Sequence, residues 1–211
     1  MRTQIAASAG ALALGAGLVG ARAGTAEASY EHLSISVDKH ILKGSRDRIT
    51  GRMRPAQRDR VVWVYANGPG TPGWKRVAKP RTDSHGRFST SWRPGAVGQF
   101  QIRALLTGSD APQRASSVTV YRESGASWYG PGFYGRRTAC GQTLSPSTLG
   151  VAHKTLPCGT RVAFYYRGNH ITVRVIDRGP YVAGREWDLT EATKERLRFG
   201  SSGTLWSAPL G

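Results

Sequence analysis

The chain has 211 residues, of which 30 are Lys or Arg and 13 are Asp or Glu, so its formal net charge at neutral pH is +17. This length suits two domains of about 90 residues better than one. Beyond the N-terminus no stretch is apolar enough to span a bilayer, which excludes a polytopic membrane protein, and the basic charge favours polyanionic partners.

Residues 1–28 have the pattern of a signal peptide. The basic Arg2 precedes the uncharged run IAASAGALALGAGLVGA, and Ala26-Glu27-Ala28 follows as a small-x-small cleavage site. We therefore predict a secreted or cell-wall-associated bacterial protein with no membrane span after cleavage, a retained anchor being the alternative. Outside the membrane the available polyanions are wall polymers and surface glycans, so nucleic acid is not expected as a partner.

Residues 29–121 are predicted to form a β-sandwich. Short alternating runs separated by turn residues are typical of this fold. The segment Asn67–Gly73 is predicted to be a loop that does not pair. No nucleophile, base and orienting residue occur together here, so the segment is interpreted as a binding or spacer module. The predicted strands are LSISV, DRITGRM, RVVWVYA, WKRVAKPR, GRFSTSW, GQFQIRALL and SSVTVYR.

The second half, residues 126–211, differs in composition from the first. The preceding stretch, Arg122–Gly125, has the charge and small residues of a domain junction. Strands are predicted at GTRVAFYYRG and HITVRVID, and the chain closes with a helix at DLTEATKERLRFG. Thr190 is the predicted N-cap of this helix, and Gly200 is expected to end it in a left-handed conformation.

The two cysteines, Cys140 and Cys158, both lie in the second half. In an exported protein such a pair is expected to form a disulfide, which would contribute about 3 kcal/mol to stability by closing a loop of this length. No CxxC and no paired-His spacing occurs, so no metal site is predicted.

Two carboxylates bracket one loop in the stretch VIDRGPYVAGREWDLT. Asp177 ends a predicted buried strand and is either a turn residue that accepts backbone hydrogen bonds or a general acid. An inward-turned guanidinium of Arg178 would favour its ionised form. Asp188 is either a second catalytic carboxylate or a structural hydrogen-bonding residue before the helix. His153, in VAHKTLPCGTRV, is either structural or catalytic.

Glycine and aromatic residues crowd together in ASWYGPGFYGRRTACGQTL. Glycines let the backbone approach a ligand closely, and aromatic faces stack on sugar rings or bases. Packing as a hydrophobic plug is the alternative for each of the aromatic residues, which are Trp128, Tyr129, Phe133 and Tyr134.

Four motifs in order, ASWYGPGFYGRRTACG, GVAHKTLPCGTRV, VIDRGPYVAGREWDLT and the final helix, resemble the rare lipoprotein A (RlpA) family of double-psi β-barrels, related to the expansin and barwin-like barrels. The resemblance covers residues 126 to about 206 and implies a lytic transglycosylase. Such an enzyme cleaves the β-1,4 bond between N-acetylmuramic acid and N-acetylglucosamine without water and leaves a 1,6-anhydro ring. The first half is similar to the immunoglobulin-like modules of some wall-active proteins. The implied fold is all-β, an immunoglobulin-like sandwich followed by a six-stranded double-psi barrel with a short C-terminal helix.

Carried over by position, the resemblance assigns Asp177 as acid and then base, with His153 as its hydrogen-bonding or substrate-positioning neighbour. The family's third functional position, usually glutamate in TAxGE, is Gln142 in TACGQ, and an amide cannot carry a proton. The side chains expected to line a glycan groove are Gln142, Tyr129, Tyr134, Arg178 and Asp188.

The partners expected from this resemblance and from the charge are peptidoglycan glycan strands and anionic wall polymers. The departure at Gln142 keeps a second interpretation open, in which the barrel is a non-catalytic, expansin-like module that binds wall glycan or loosens the wall. No cofactor is expected, because acid catalysis on a glycoside needs none.

Overall fold

The computed structural model describes residues 32–108 and 114–210; the predicted signal peptide, residues 1–28, lies outside these ranges. The described chain is built from strands with one short helix, which confirms the predicted all-β class. In chain order the elements are β1 His32–Val37, β2 His40–Leu42, β3 Asp47–Arg54, β4 Val62–Gly68, β5 Thr71–Ala78, β6 Arg87–Trp92, β7 Gly98–Leu106, β8 Ser116–Tyr129, β9 Val151–Ala152, β10 Arg161–Tyr166, β11 Asn169–Asp177, β12 Trp187–Thr190, α1 Glu191–Leu197 and β13 Ser202–Leu210.

The first half is a two-sheet sandwich, and each of the seven predicted runs contains a strand. One sheet has the order β1-β3-β6; the other is β5-β4-β7-β8, with the short β2, which the sequence did not predict, parallel to β8. Alternate residues of the strands point into a common core, as period-two patterning requires. The bulkiest members of this core are Ile49, Met53, Phe88, Trp92, Phe100 and Ile102.

The prediction that Asn67–Gly73 does not pair is wrong. Strands β4 and β5 form a hairpin in which Gly68 lies opposite Thr71. Pro69 and Gly70 form the turn, and Gly70 has φ 70°, the left-handed value that a Pro-Gly turn places on glycine. The Pro-Gly pair is itself a turn signal, so the segment continues the sheet rather than interrupting it.

The second half contains a closed six-stranded barrel with the cyclic order β8-β12-β9-β11-β10-β13 and back to β8. The pairs β8–β12 and β9–β11 are parallel, and the remaining neighbours are antiparallel. The barrel and its strand number agree with the prediction. Its core is formed by large buried side chains, among them Phe164, Trp187, Leu189, Leu197 and Leu205.

Strand β8 belongs to both halves of the molecule. Its first residues pair with β7, and from Arg122 onward it pairs with β13 and then β12. The predicted junction Arg122–Gly125 is therefore continuous strand rather than a linker. The division into a domain of residues 29–121 and one of residues 126–211 stays a prediction.

The helix α1 begins as predicted but ends differently. Thr190 is the N-cap, and its hydroxyl accepts a hydrogen bond from the Thr193 N–H. Arg198, with φ 53°, takes the left-handed position predicted for Gly200. The helix is also not the last element, because the strand β13 follows it and pairs on both sides in the barrel. In the described parts of the chain, no helix has the length and hydrophobicity of a membrane span.

The predicted disulfide is present. Cys140 and Cys158 are 18 residues apart, with a Cα–Cα distance of 5.7 Å. The bond connects the turn of residues 138–141, which lies between β8 and β9, to the turn of residues 157–160, which precedes β10. Since Gly159 N–H donates to the Val175 carbonyl and Cys140 N–H to the Ile176 carbonyl, both turns are also tied to β11.

Replacing both cysteines by serine is expected to lower the free energy of unfolding of the barrel by about 3 kcal/mol, because the closed loop no longer restricts the unfolded chain. Hydrogen exchange should then accelerate in β10 and β11 and remain unchanged in β1, β3 and β6. Equal acceleration in all five strands would show that the two halves unfold as one cooperative unit.

Candidate active site

A row of side chains crosses four neighbouring barrel strands. Ser127 of β8 lies opposite Asp188 of β12, and Asp188 in turn lies opposite Ala152 of β9. On the other side of β9, Ala152 is the register partner of Asp177 in β11. Register partners point to the same face of a sheet, and two strand spacings put the two carboxylate Cα atoms about 10 Å apart. The fold thus places on one face the two acids that bracket a loop in the sequence.

The short strand between the two acids is held by the N-terminus of the helix. The hydroxyls of Thr190 and Thr193 lie 2.9 to 3.2 Å from the backbone N–H and carbonyl oxygen of Gly150. A side chain at Gly150 has no room, because a Cβ there would be 2.3 Å from Cδ1 of Ile176. The helix cap therefore also fixes the position of β9, and with it the spacing of the two acids.

The Asp177 carboxylate is held by backbone donors. Its Oδ1 accepts the N–H of Ala139 and that of Arg178, each at 2.8 Å, and its carbonyl oxygen accepts the His153 N–H at 3.1 Å. The Arg178 guanidinium is directed at other groups: it donates to the carbonyl oxygens of His153 and Asp177 and to Sγ of Cys158. Oδ1 of Asp177 thus accepts backbone hydrogen bonds, as expected of a turn residue, and these bonds do not involve Oδ2.

A cavity of about 250 Å³ opens beside Asp177. Phe133 borders it with half of its surface exposed (51 %), as an aromatic platform for a sugar ring requires. Two larger cavities, of about 780 and 580 Å³, lie on the sandwich and are lined by neither carboxylate of the row. Arg136 and Arg137, which belong to the aromatic motif, were not predicted to have a role. The cavity is lined by Phe133, Arg136, Arg137, Thr138, Leu144, Asp177 and Arg178.

Two further groups of this face have shifted pKa values. The Tyr129 hydroxyl is buried and makes no hydrogen bond of normal geometry within the described residues. Burial and the nearby Asp177 and Asp188 raise the pKa of Tyr129. Burial also raises the pKa of Asp188; the Asp177 charge acts in the same direction, while the Ser127 hydroxyl and Arg185 oppose it. Asp188 therefore keeps its proton more readily than an exposed aspartate does.

The His153 ring is fixed in one tautomer. Its Nδ1 accepts the N–H groups of Thr155 at 3.1 Å and Leu156 at 3.0 Å, so in the neutral ring the proton is on Nε2. Nε2 lies 3.7 Å from Oε1 of Glu186. Burial lowers the pKa of His153, and the Glu186 carboxylate only partly offsets this. The imidazole is thus a neutral group held in one orientation, and it does not line the cavity beside Asp177.

Glu186 forms an ion pair that the sequence did not reveal. Both of its carboxylate oxygens accept from the Arg122 guanidinium, which also donates to the Ser124 hydroxyl. Burial alone would raise the pKa of Glu186, but the hydrogen bonds and charge of Arg122 outweigh it and the pKa is lowered. Arg122 and Glu186 are 64 positions apart, so no local spacing could indicate the pair.

Of the five predicted groove residues, Arg178 lines the cavity beside Asp177 and the other four do not. The Gln142 side chain is exposed, and its backbone pairs with Thr138 in the turn that also contains Ala139. The Tyr134 hydroxyl donates to Glu191, which raises the pKa of Tyr134 to about 12. Their contacts with a glycan stay predictions. Within the described ranges no three His, Cys, Asp or Glu side chains are grouped so as to hold a metal ion.

The second half of the chain is similar in sequence to known proteins. Residues 122–205 match the sequence model of the family described as "Lytic transglycolase". The probable endolytic peptidoglycan transglycosylase RlpA of Synechocystis sp. is 45% identical over 92 residues, which are 42% of this chain and 29% of that protein. The endolytic peptidoglycan transglycosylase RlpA of Campylobacter jejuni is 44% identical over 131 residues, 61% of this chain and 46% of that protein.

The chain therefore spans less than half the length of these two relatives. Among solved structures, the filamin domain of Lin-41 is similar over 42% of this chain and 90% of that one, at 18% identity and a TM-score of 0.32, a likeness too weak to argue from. The family match, the relatives and the closed six-stranded topology agree with one another. Residues 122–205 thus form a double-psi β-barrel that matches the lytic transglycosylase family and resembles the RlpA relatives.

Proposed function

We propose that this protein is an exported lytic transglycosylase that cleaves the bond between N-acetylmuramic acid and N-acetylglucosamine in peptidoglycan and leaves a 1,6-anhydro product. The observation that carries the proposal is that Asp177 borders a cavity with an exposed aromatic ring, while Asp188 lies on the other side of Ala152 on the same face. The named activity of the RlpA relatives supports it, although those proteins extend well beyond the matched region.

In the proposed reaction Asp177 carries one proton in both directions. Its protonated carboxyl donates to the glycosidic oxygen, the C1–O bond breaks, and N-acetylglucosamine departs with a free 4-hydroxyl. The C6 hydroxyl of the muramic acid then bonds to C1 and returns its proton to Asp177. No water is consumed, so one proton carrier suffices, unlike the two carboxylates of hydrolytic glycosidases. Because Oδ1 is occupied by the N–H groups of Ala139 and Arg178, Oδ2 is the proton-carrying oxygen.

The remaining groups position Asp177 and the sugar. His153 acts through its backbone N–H, which donates to the Asp177 carbonyl, and through the turn that its Nδ1 holds. Asp188, whose raised pKa favours the protonated form, can donate to a sugar hydroxyl without adding a second negative charge next to Asp177. Two carboxyls in different environments are the usual means of separating such roles. The Tyr129 hydroxyl is buried near Asp177 and Asp188 and is a further hydrogen-bond donor beside these carboxyl groups.

The location and the wall partners belong to the same proposal. The predicted leader supports placement outside the cytoplasmic membrane, where the net charge of +17 would favour contact with anionic wall polymers. Peptidoglycan glycan strands are the proposed substrate and anionic polymers an additional ligand.

A second candidate function is favoured by one observation. Gln142 stands where the family pattern has glutamate, and its exposed amide cannot carry a proton or a charge. A barrel that binds wall glycan without cutting it, as expansins do, is the function consistent with that loss.

Asp177→Asn separates the two candidates. Sacculi stripped of stem peptides and intact sacculi should both be incubated with the wild type and the variant, and the soluble products analysed by mass spectrometry for 1,6-anhydromuramic ends. We expect anhydro products from the wild type and a reduction of at least about 100-fold in Asp177→Asn, since the proton carrier is lost. Asp38→Asn, which removes an exposed carboxylate on the sandwich, should retain full activity. Wall binding by all three proteins without any product would instead establish the non-catalytic function.

Asp188→Asn is expected to increase stability at neutral pH. A carboxyl whose pKa is raised on folding favours the folded state below its unfolded pKa, and this contribution is lost as the pH rises through the folded pKa. The amide avoids that loss and still accepts from Ser127, so Tm at pH 7 should rise by a few degrees, roughly 2–4 °C per kcal/mol.

Thermal unfolding followed by circular dichroism from pH 3.5 to pH 7.5 measures this difference. It should be largest at pH 7.5 and disappear toward pH 3.5, whereas Asp38→Asn should not show the same dependence. A Tm difference independent of pH would mean that the ionisation of Asp188 costs the fold nothing.

A further inference from the structure

The outer face of the sheet β1-β3-β6 carries guanidinium and hydroxyl groups in rows. Residues of these strands that alternate with the buried Ile49, Met53 and Phe88 point away from the core. The register aligns them across the three strands as Ser34–Arg52–Arg87 and, two positions along, Ser36–Thr50–Ser89. This surface, called the arginine face below, also includes Arg48, whose Nε donates to the Ser89 hydroxyl.

The charges of the arginine face are unbalanced. Arg52 and Arg87 lie directly opposite each other, an arrangement that is unfavourable for like charges on neighbouring strands. Arg52 Nε is buried and has no hydrogen-bond partner within the described residues. A cavity of about 780 Å³ lies on this face, and it is bordered by Arg52 and Arg87 and also by Arg48 and Arg81.

One carboxylate borders this cavity. Oδ1 of Asp83 accepts the N–H groups of His85 at 2.8 Å and Arg87 at 2.9 Å, so it is partly used in holding its own turn. Four guanidinium groups therefore face one acid, and an anion between Arg52 and Arg87 would convert their repulsion into attraction.

We propose that the arginine face binds a linear phosphodiester polymer of the polyol-phosphate type. A guanidinium presents two parallel donors that match the oxygens of a phosphate. Arg48 lies four residues from Arg52 along β3, a distance of about 13 Å. A ligand that contacts both guanidinium groups therefore carries negative charges at intervals along its length. The hydroxyls of Thr50 and Ser89 lie between these points and can bond to polyol oxygens.

This inference rests on the proposed location outside the membrane, where such polymers occur, and not on catalysis. Binding is measured without turnover, and the arginine face and Asp177 lie in different halves of the chain. Asp177→Asn should therefore bind the polymer as the wild type does, so that failure of one proposal can be distinguished from failure of the other.

The test is a fluorescence anisotropy titration of a labelled poly(glycerol phosphate) chain with the full-length protein. The double variant Arg52→Gln/Arg87→Gln should bind about tenfold more weakly or worse, since two charge-assisted contacts are lost. Wild-type affinity should fall as salt is added, because exposed charges are screened. Unchanged affinity in the double variant would overturn the proposal.

The barrel offers a matched control. Arg161 and Arg174 are also register partners on neighbouring strands and are both exposed, so Arg161→Gln/Arg174→Gln removes the same charge elsewhere. A change below about threefold is expected there, and an equal loss in both double variants would show that only net charge matters. If the glutamine variant of the arginine face fails to fold, Arg52→Lys/Arg87→Lys is the alternative. It keeps the positive charge but removes the paired N–H donors of the guanidinium, so it should still weaken binding.

Other polyanions test the chemical class. Polyglutamate and a DNA duplex of matched charge should both bind more weakly than poly(glycerol phosphate). Equal or tighter binding of the carboxylate polymer, or of the duplex, would overturn the assignment to polyol phosphates.

Discussion

The pairing of strand β8 is the constraint on which the rest of the structure depends. Within 14 residues it completes one sheet of the sandwich and closes the barrel, because it pairs in turn with β7, β13 and β12. A shift of one residue would turn every side chain of the strand to the opposite face. The register of Val118 and Val120 in the sandwich core therefore also fixes Ser127 and Tyr129 beside the carboxylates.

The candidate site is held by backbone more than by side chains. Asp177 is oriented by N–H groups of Ala139 and Arg178, and His153 by those of Thr155 and Leu156. The disulfide links the segments that supply these N–H groups. Cys140 directly follows Ala139, and Cys158 lies two residues after Leu156. Crosslinking these turns restricts the motion of the groups around Asp177, which the proposed reaction requires to be held in one geometry.

Local patterns in the sequence were sufficient for some features and insufficient for others. Alternating runs predicted the sandwich strands, and the two acids that bracket one loop, Asp177 and Asp188, lie on one face of the barrel as candidate site residues. The strand β13 was missed because its Gly, Ser and Pro residues dilute the alternation, and its pairing with β8 and β10 makes it regular. The ion pair of Arg122 and Glu186 was missed for a related reason: it is created by barrel closure and has no local signal.

The protein keeps features that cost stability at both of its proposed binding surfaces. In the barrel these are the half-buried carboxyl of Asp188, whose pKa burial raises, and the buried hydroxyl of Tyr129, which lacks a well-formed hydrogen bond. On the sandwich they are the facing guanidinium groups of Arg52 and Arg87. A buried polar group without a partner costs about 1–3 kcal/mol, and a ligand that supplies the partner recovers that energy on binding. A sugar hydroxyl near Tyr129 or a phosphate between Arg52 and Arg87 would supply the missing partner, so the cost of these groups in the free protein is consistent with both proposals.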